Sequence, residues 1–222
     1  MAAEREPLYK TRMLNRDMMD FLRDCVREEY NIIVCGLPRS GRTAMLNLLA
    51  SYVPVNEPMA VIEDKPELKL PLHTIRQQVI GWVKDVNRRK TVKEIIDQSP
   101  GRIILGDCTR GEAYEMLRVM ASGHSGSMAT IQAYNVDDLL NFRLPELVAS
   151  TGFGLKKDEI KRLAAEALDL VIQMWEQRVE QICRVLGTEK TKSGLTVLFH
   201  PLYQYDPEQE DWVHQPLVRP AW

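Results

Sequence analysis

Two glycines five positions apart, followed by a base and a hydroxyl, carry the strongest chemical signal in the chain. Gly36-Leu37-Pro38-Arg39-Ser40-Gly41-Arg42-Thr43 has the G-x-x-x-x-G-K-[ST] spacing of a phosphate loop, with arginine at the lysine position. Such a loop binds polyphosphate because glycines let successive backbone N–H groups converge on the anion. The helix that follows adds positive potential at its N-terminus. Thr43 would supply the hydroxyl ligand for Mg²⁺. Arg42 is no equivalent of lysine: guanidinium is a planar fork and not a compact point charge, so it would sit displaced, with binding kept and the geometry of transfer impaired. Taken alone, the octamer also fits a strand-turn-helix corner with incidental glycines.

A phosphate loop needs a buried strand before it and a helix after it, and the surrounding residues supply both. Residues 31–35 are a short apolar run rich in β-branched side chains, ended by Gly36 and Pro38, as a central parallel strand buried on both faces requires. Upstream, Asn15 or Asp17 caps a helix whose Met18, Phe21, Leu22, Cys25 and Val26 follow the spacing of one buried face. Downstream, strand and helix alternate. A strand ends at Val61 and Ile62, helices are expected over residues 75–86 and 92–98, and a strand over 102–105. A helix follows Gly111, then a strand near 128–131 and a helix over 136–148. This βαβα order specifies a mostly parallel sheet covered by helices. After Thr151-Gly152-Phe153-Gly154, a helix with Ile160, Leu163, Ala164, Ala167 and Leu168 on one face precedes three expected antiparallel strands, around residues 170–174, 181–186 and 195–205. No internal repeat or low-complexity tract interrupts the pattern.

The 222 residues suffice for one substantial core, and 45% hydrophobic with 27% charged residues is an ordinary globular composition. A net charge of −2 with dispersed basic residues gives no field toward nucleic acid or anionic lipid, so phosphate binding must be local. Cys25, Cys35, Cys108 and Cys183 show no C-x-x-C spacing and sit beside apolar residues such as Val26, Val34 and Ile182, which predicts buried thiols in a reducing compartment. The opening MAAEREPLYK is charged where a signal peptide is apolar, and no stretch approaches the roughly 18 apolar residues of a membrane span. A cytoplasmic chain, peripheral to a membrane at most, is expected.

Three further segments follow the loop in a telling order. Val61-Ile62-Glu63-Asp64-Lys65-Pro66-Glu67-Leu68 resembles the TIEDxxEL "Asp box" of the type II/IV secretion and pilus-assembly ATPases. GRIILGDCTRGEA, from Gly101 to Ala113, resembles their Walker B segment RIIVGEVRGGEA; GHSGSMATIQA, from Gly123 to Ala133, resembles their His box GHDGSLATVHA. The resemblance runs from about Asn15 to at least Asp206 and is nearest the branch serving tight-adherence pili and type IV secretion. It implies a P-loop NTPase (RecA-like) α/β fold with a small antiparallel C-terminal extension from about residue 168. The implied division is a polar segment 1–14, a motor domain 15–206 and a polar tail 207–222.

By position, the resemblance assigns nucleotide phosphates to Gly36, Arg39, Ser40, Gly41, Arg42, Thr43 and Ala44, and Mg²⁺ to Thr43 and Asp107. Glu63 takes the place of the glutamate that orients or deprotonates water, and Arg76 that of the first of two arginines that can reach a nucleotide, often across a subunit boundary, the second being Ile80. Asp107 replaces the Walker B glutamate and Thr109 the next arginine; His124 keeps the first histidine, while Gln132, which cannot change charge near neutral pH, replaces the second. ATP and Mg²⁺ are the implied cofactors; a homo- or hetero-hexamer and an inner-membrane platform protein are the implied partners. Family members usually carry an N-terminal domain before the motor, whereas about 15 residues here precede the first helix, so that domain is expected to be absent. Two alternatives stay open: a pseudo-ATPase that modulates a catalytic partner, favoured by Arg42, Asp107, Thr109 and Gln132, and a small P-loop kinase with Arg88 and Arg89 in a lid.

Overall fold

Among the described residues nine strands line up in one sheet, and the placement of the loop follows from their order. The computed structural model describes residues 12–63, 67–69, 76–80, 94, 101–150, 152, 154–192 and 194–217, with residues 76–80 described as backbone. Helix α1 (Arg16–Arg27) opens at Asn15, whose Oδ1 accepts from Met18 N at 3.0 Å, a cap worth about 1 kcal/mol. Strand β1 (Ile32–Gly36) is buried throughout. Its Ile33 and Cys35 join one apolar cluster and its Ile32 and Val34 the other, so the strand anchors both layers. Next come α2 (Arg42–Tyr52), β2 (Met59–Glu63), β3 (Arg76–Ile80), β4 (Arg102–Cys108), α3 (Glu112–Ala121) and β5 (Met128–Gln132). After α4 (Val136–Asp138), a π turn (Leu139–Arg143) leads into α5 (Leu144–Ala149) and α6 (Lys157–Ala167). Strands β6 (Leu170–Trp175), β7 (Arg178–Thr191), β8 (Gly194–Asp206) and β9 (Asp211–His214) finish the sheet, whose order is β3-β2-β4-β5-β1-β6-β7-β8-β9.

Met18, Leu22 and Val26 of α1 pack with Leu46 and Leu49 of α2 on one face. Met116, Leu117 and Met120 of α3, Leu144 and Leu147 of α5, and Ile160 and Ala164 of α6 cover the other. Each such side chain contributes about 1.5 to 3 kcal/mol when fully buried.

Strands β1 to β6 are parallel, so their carboxyl ends form one rim of the sheet and their amino ends the opposite rim. The amino rim is tied by polar groups. Asn31, 5% exposed, donates to Met120 O at 3.1 Å and Ala167 O at 2.9 Å and accepts from Ser127 N at 3.1 Å, joining the ends of α3 and α6 to the entry of β5. Arg102, 1% exposed, forks onto the Glu57 carboxylate and donates to Val26 O at 2.7 Å.

Three expectations need correction. Residues 76–80, part of the helix expected over 75–86, form β3, paired in parallel with β2; the rest of that expected helix lies outside the described residues. Residues 170–174, expected to be antiparallel, form β6, which runs parallel to β1 from Ile32↔Leu170 to Gly36↔Met174. A chain leaving β5 and crossing a face through helices returns in the same direction. Residues 211–214, expected in a polar tail, pair as β9 with β8. The helix expected over 92–98 lies outside the described residues except for Glu94.

Candidate functional site

The loop between β1 and α2 begins where side chains no longer fit. Gly36 has φ of 152°, and a Cβ there would lie 2.6 Å from Met174 O, with the Ser40 hydroxyl nearer still. Gly41 caps α2 at φ of 102° without a side-chain hydrogen bond, so α2 presents its first N–H groups unclaimed by a capping side chain. Ser40 is buried, and its Oγ meets no hydrogen-bond partner among the described residues.

Beside the loop, on the carboxyl rim, lies a cavity of about 280 Å³ lined by Arg42, Thr43, Glu63, Glu67, Gly106, Asp107 and Thr130. Glu63 ends β2, and its Oε1 accepts from Glu67 N at 3.1 Å and Leu68 N at 2.8 Å, which holds the carboxylate in one orientation. Gly106 leaves it room, since a Cβ there would lie 2.9 Å from Glu63 Cγ. Asp107 reaches the cavity through a bulge: β4 spends one more residue than β5 between the pairs Leu105↔Ala129 and Cys108↔Ile131. Thr130 Oγ1 donates to Gly106 O at 2.6 Å and lies 3.5 Å from Asp107 Oδ1. Arg42 Nη1 also stands 3.5 Å from Asp107 Oδ1; the Arg42 side chain is 15% exposed and that of Asp107 48%. Cys35 lies beneath; burial and then Cys183 push its thiol up, against the lowering influence of Arg42.

The structure therefore brings Arg42, Thr43, Glu63 and Asp107 into one cavity, next to Gly36, Ser40 and Gly41. Arg39 is exposed beside them at φ of 67°, and Ala44 packs against the α2 face of the core. Two residues that the resemblance assigns to the nucleotide stand away from this cavity within the chain. Arg76 pairs with Met59 at the start of β2, while Ile80 pairs with Glu63, so the Arg76 backbone is four strand residues, about 13 Å, from the Glu63 end. His124 precedes β5 on the amino rim, its Nδ1 3.4 Å from Gly101 O. Gln132 does reach the loop, pairing with Gly36, but is exposed and lines a separate hollow of about 250 Å³ with Leu37, Tyr134, Asp138 and Arg143. Motif reasoning passed over Gly106, Thr130 and Glu67, although all three lie inside the quoted segments. Thr109 turns from the cavity: its N and Oγ1 donate to Glu112 Oε1 at 2.8 and 3.4 Å.

A strand-loop-helix corner with carboxylates at the ends of neighbouring parallel strands defines a P-loop NTPase fold of the RecA-like kind. The model of the type II/IV secretion system protein family matches residues 3–207, and the chain belongs to that family. Type IV secretion system protein VirB11 of Bartonella quintana (strain Toulouse) is 29% identical over 173 residues, covering 75% of this chain and 48% of the relative. VirB11 of Brucella suis biovar 1 (strain 1330) is 32% identical over 168 residues, 71% of this chain and 46% of that one. The chain thus spans about half the length of these relatives. The crystal structure of the VirB11 ATPase from Brucella suis, in complex with sulphate, matches with a TM-score of 0.64 and 27% identity over 90% of this chain and 56% of that one. The pilus retraction motor PilT with bound ADP matches in fold, with a TM-score of 0.54 and 16% identity over 94% of this chain and 56% of that one.

Proposed function

We propose that residues 15–206 are the nucleotide-binding motor domain of a type IV secretion or pilus-assembly ATPase, binding ATP with Mg²⁺ and hydrolysing it to ADP and phosphate. The observation that carries this reading is the convergence of Arg42, Thr43, Glu63 and Asp107 on one cavity at the loop. Loop N–H groups and Arg42 hold the β- and γ-phosphates. Glu63 orients the attacking water and accepts its proton as the bond from γ-phosphorus to the bridging oxygen breaks. A hydroxyl and a half-exposed carboxylate on one cavity match the hard-oxygen donors that Mg²⁺ takes, with phosphate and water completing its shell, so Thr43 and Asp107 would hold it. When bound, Mg²⁺ neutralises charge developing on the phosphate oxygens. As the motif resemblance implies, the proposed domain works in a homo- or hetero-hexamer, at the cytoplasmic face of an inner-membrane platform protein.

A second reading, a nucleotide-binding pseudo-ATPase that regulates the secretion machine, is favoured by the contact between Arg42 and Asp107. A guanidinium leaning on the metal-site carboxylate competes with the metal and with the phosphate for both side chains.

Equilibrium binding of a fluorescent ATP analogue with Mg²⁺, followed by phosphate release, tests both readings on the native chain, Arg42→Lys and Glu63→Gln. An active motor binds and releases, and Glu63→Gln keeps affinity while release falls about 100-fold or more. Binding without release that Arg42→Lys restores selects the pseudo-ATPase. Absence of binding by all three forms overturns the nucleotide reading.

A further inference from the structure

We propose that Gln177, at the tip of the β6–β7 hairpin, is a positioning residue that sets the peptide planes of the phosphate loop; this rests on the nucleotide-binding reading above. Trp175 pairs with Arg178, so Glu176 and Gln177 alone make the turn. Their φ angles are 46° and 66°, the left-handed backbone that a two-residue hairpin turn requires and that Asn-Gly or Gly-Gly adopts readily. Glutamate and glutamine at both positions are strained, and such strain persists where surrounding contacts hold it.

Those contacts are with the loop. Gln177 N donates to Ser40 O at 3.0 Å, and Gln177 Nε2 donates to Arg39 O. The carbonyl and N–H of one trans peptide point in opposite directions. Holding the Ser40 carbonyl toward the hairpin therefore aims the Gly41 N–H away from it. Holding the Arg39 carbonyl likewise fixes the Ser40 N–H, which donates to Leu37 O at 3.2 Å. One residue thus orients two consecutive peptides in the segment whose N–H groups must converge on phosphate. The fit is close: a Cβ on Gly41 would stand 3.4 Å from Gln177 Cα.

The strain is also gathered in one place. Of the six described side-chain-bearing residues with positive φ, Arg12, Glu176, Gln177 and Glu210 line a hollow of about 500 Å³, and a fifth, Arg39, accepts the Gln177 amide. A turn needed only to reverse the chain would have no reason to keep a long amide at the strained position.

Gln177→Gly and Gln177→Asn separate the two roles, because both accept positive φ and neither side chain reaches Arg39 O. The expected result is a melting temperature equal to or above the native value, together with ATP affinity in the presence of Mg²⁺ weakened on the order of fivefold, the effect of one hydrogen bond. Unchanged affinity in stable variants would show that the turn only turns. If the native chain binds no ATP, the nucleotide reading fails by itself, and amide exchange of the ligand-free proteins still decides about Gln177. Faster exchange at Ser40 in Gln177→Gly, which keeps the backbone bond to Ser40 O but loses the amide on Arg39 O, with Met128–Gln132 unchanged, supports the pinning; equal exchange overturns it.

Discussion

Burial lifts the Cys25 thiol from 9.0 to about 12, with the negative charge of Glu28 adding to the effect, and burial alone lifts Cys183 to about 12. Cys35 is raised by burial and by Cys183. Each thiol therefore keeps its proton in the folded chain at pH values where the unfolded chain has lost it. The stabilisation is fully present below about pH 9 and is lost as pH rises toward 12, because proton binding then favours the folded state less and less. All four cysteines are buried and none is in a disulfide, so iodoacetamide at pH 8 should leave the native protein unlabelled and label all four after urea unfolding, as intact mass would show. Labelling of the native protein would mean that the thiols are reached by local opening. At this same scale, the family resemblance, starting from the phosphate-loop spacing, singled out Arg42, Thr43, Glu63 and Asp107, which meet in the cavity. It equally singled out Arg76 and His124, which do not. Spacing places a residue along the chain, but a strand has two ends, and only pairing reveals that Arg76 and His124 stand at the amino end. Gln177 gave no signal, because its partners Arg39 and Ser40 are 138 and 137 positions away.

The Arg102–Glu57 pair shows what holds the elements on the amino rim. It starts β4, reaches the segment before β2, and caps the end of α1 through Val26 O. Removing Glu57 leaves a guanidinium that is 1% exposed with its charge uncompensated. Glu57→Ala should cost about 3 kcal/mol or more in urea unfolding with little change in slope, and Arg102→Met added to it should recover part of the loss. A cost under 1 kcal/mol would show that water reaches Arg102. Helices with one apolar face were legible: α1, capped by Asn15, α3, and α6 with its Ile160 and Ala164. The β3 segment was not, because five residues at the end of the sheet carry too little period-two alternation to announce a strand. For β6 the error lay in direction, since LVIQM reads as a buried strand in either sense and the apolar run alone does not say which neighbour it pairs with.

For the whole molecule, the alternation of strand and helix was enough to specify a covered parallel sheet. The register, and the nine-strand continuity from β3 to β9, depend on contacts far apart in sequence. Amide exchange should follow this layout: β1 and β5, buried and paired on both sides, exchange only through global opening, whereas β9, exposed and paired on one side, exchanges first. Protection in β9 equal to that in β1 would contradict it. The polarity of the six parallel strands has a further consequence for inheritance. Substitutions at Asn31, Arg102 or Glu57 touch only the architectural rim, so a cell carrying them has less folded protein, a defect that cooler growth relieves. On the proposed reading, substitutions at the half-exposed Asp107 would leave abundance intact and deprive every copy of turnover, at any growth temperature. The sheet thus sorts random genetic damage by strand end into conditional and unconditional alleles.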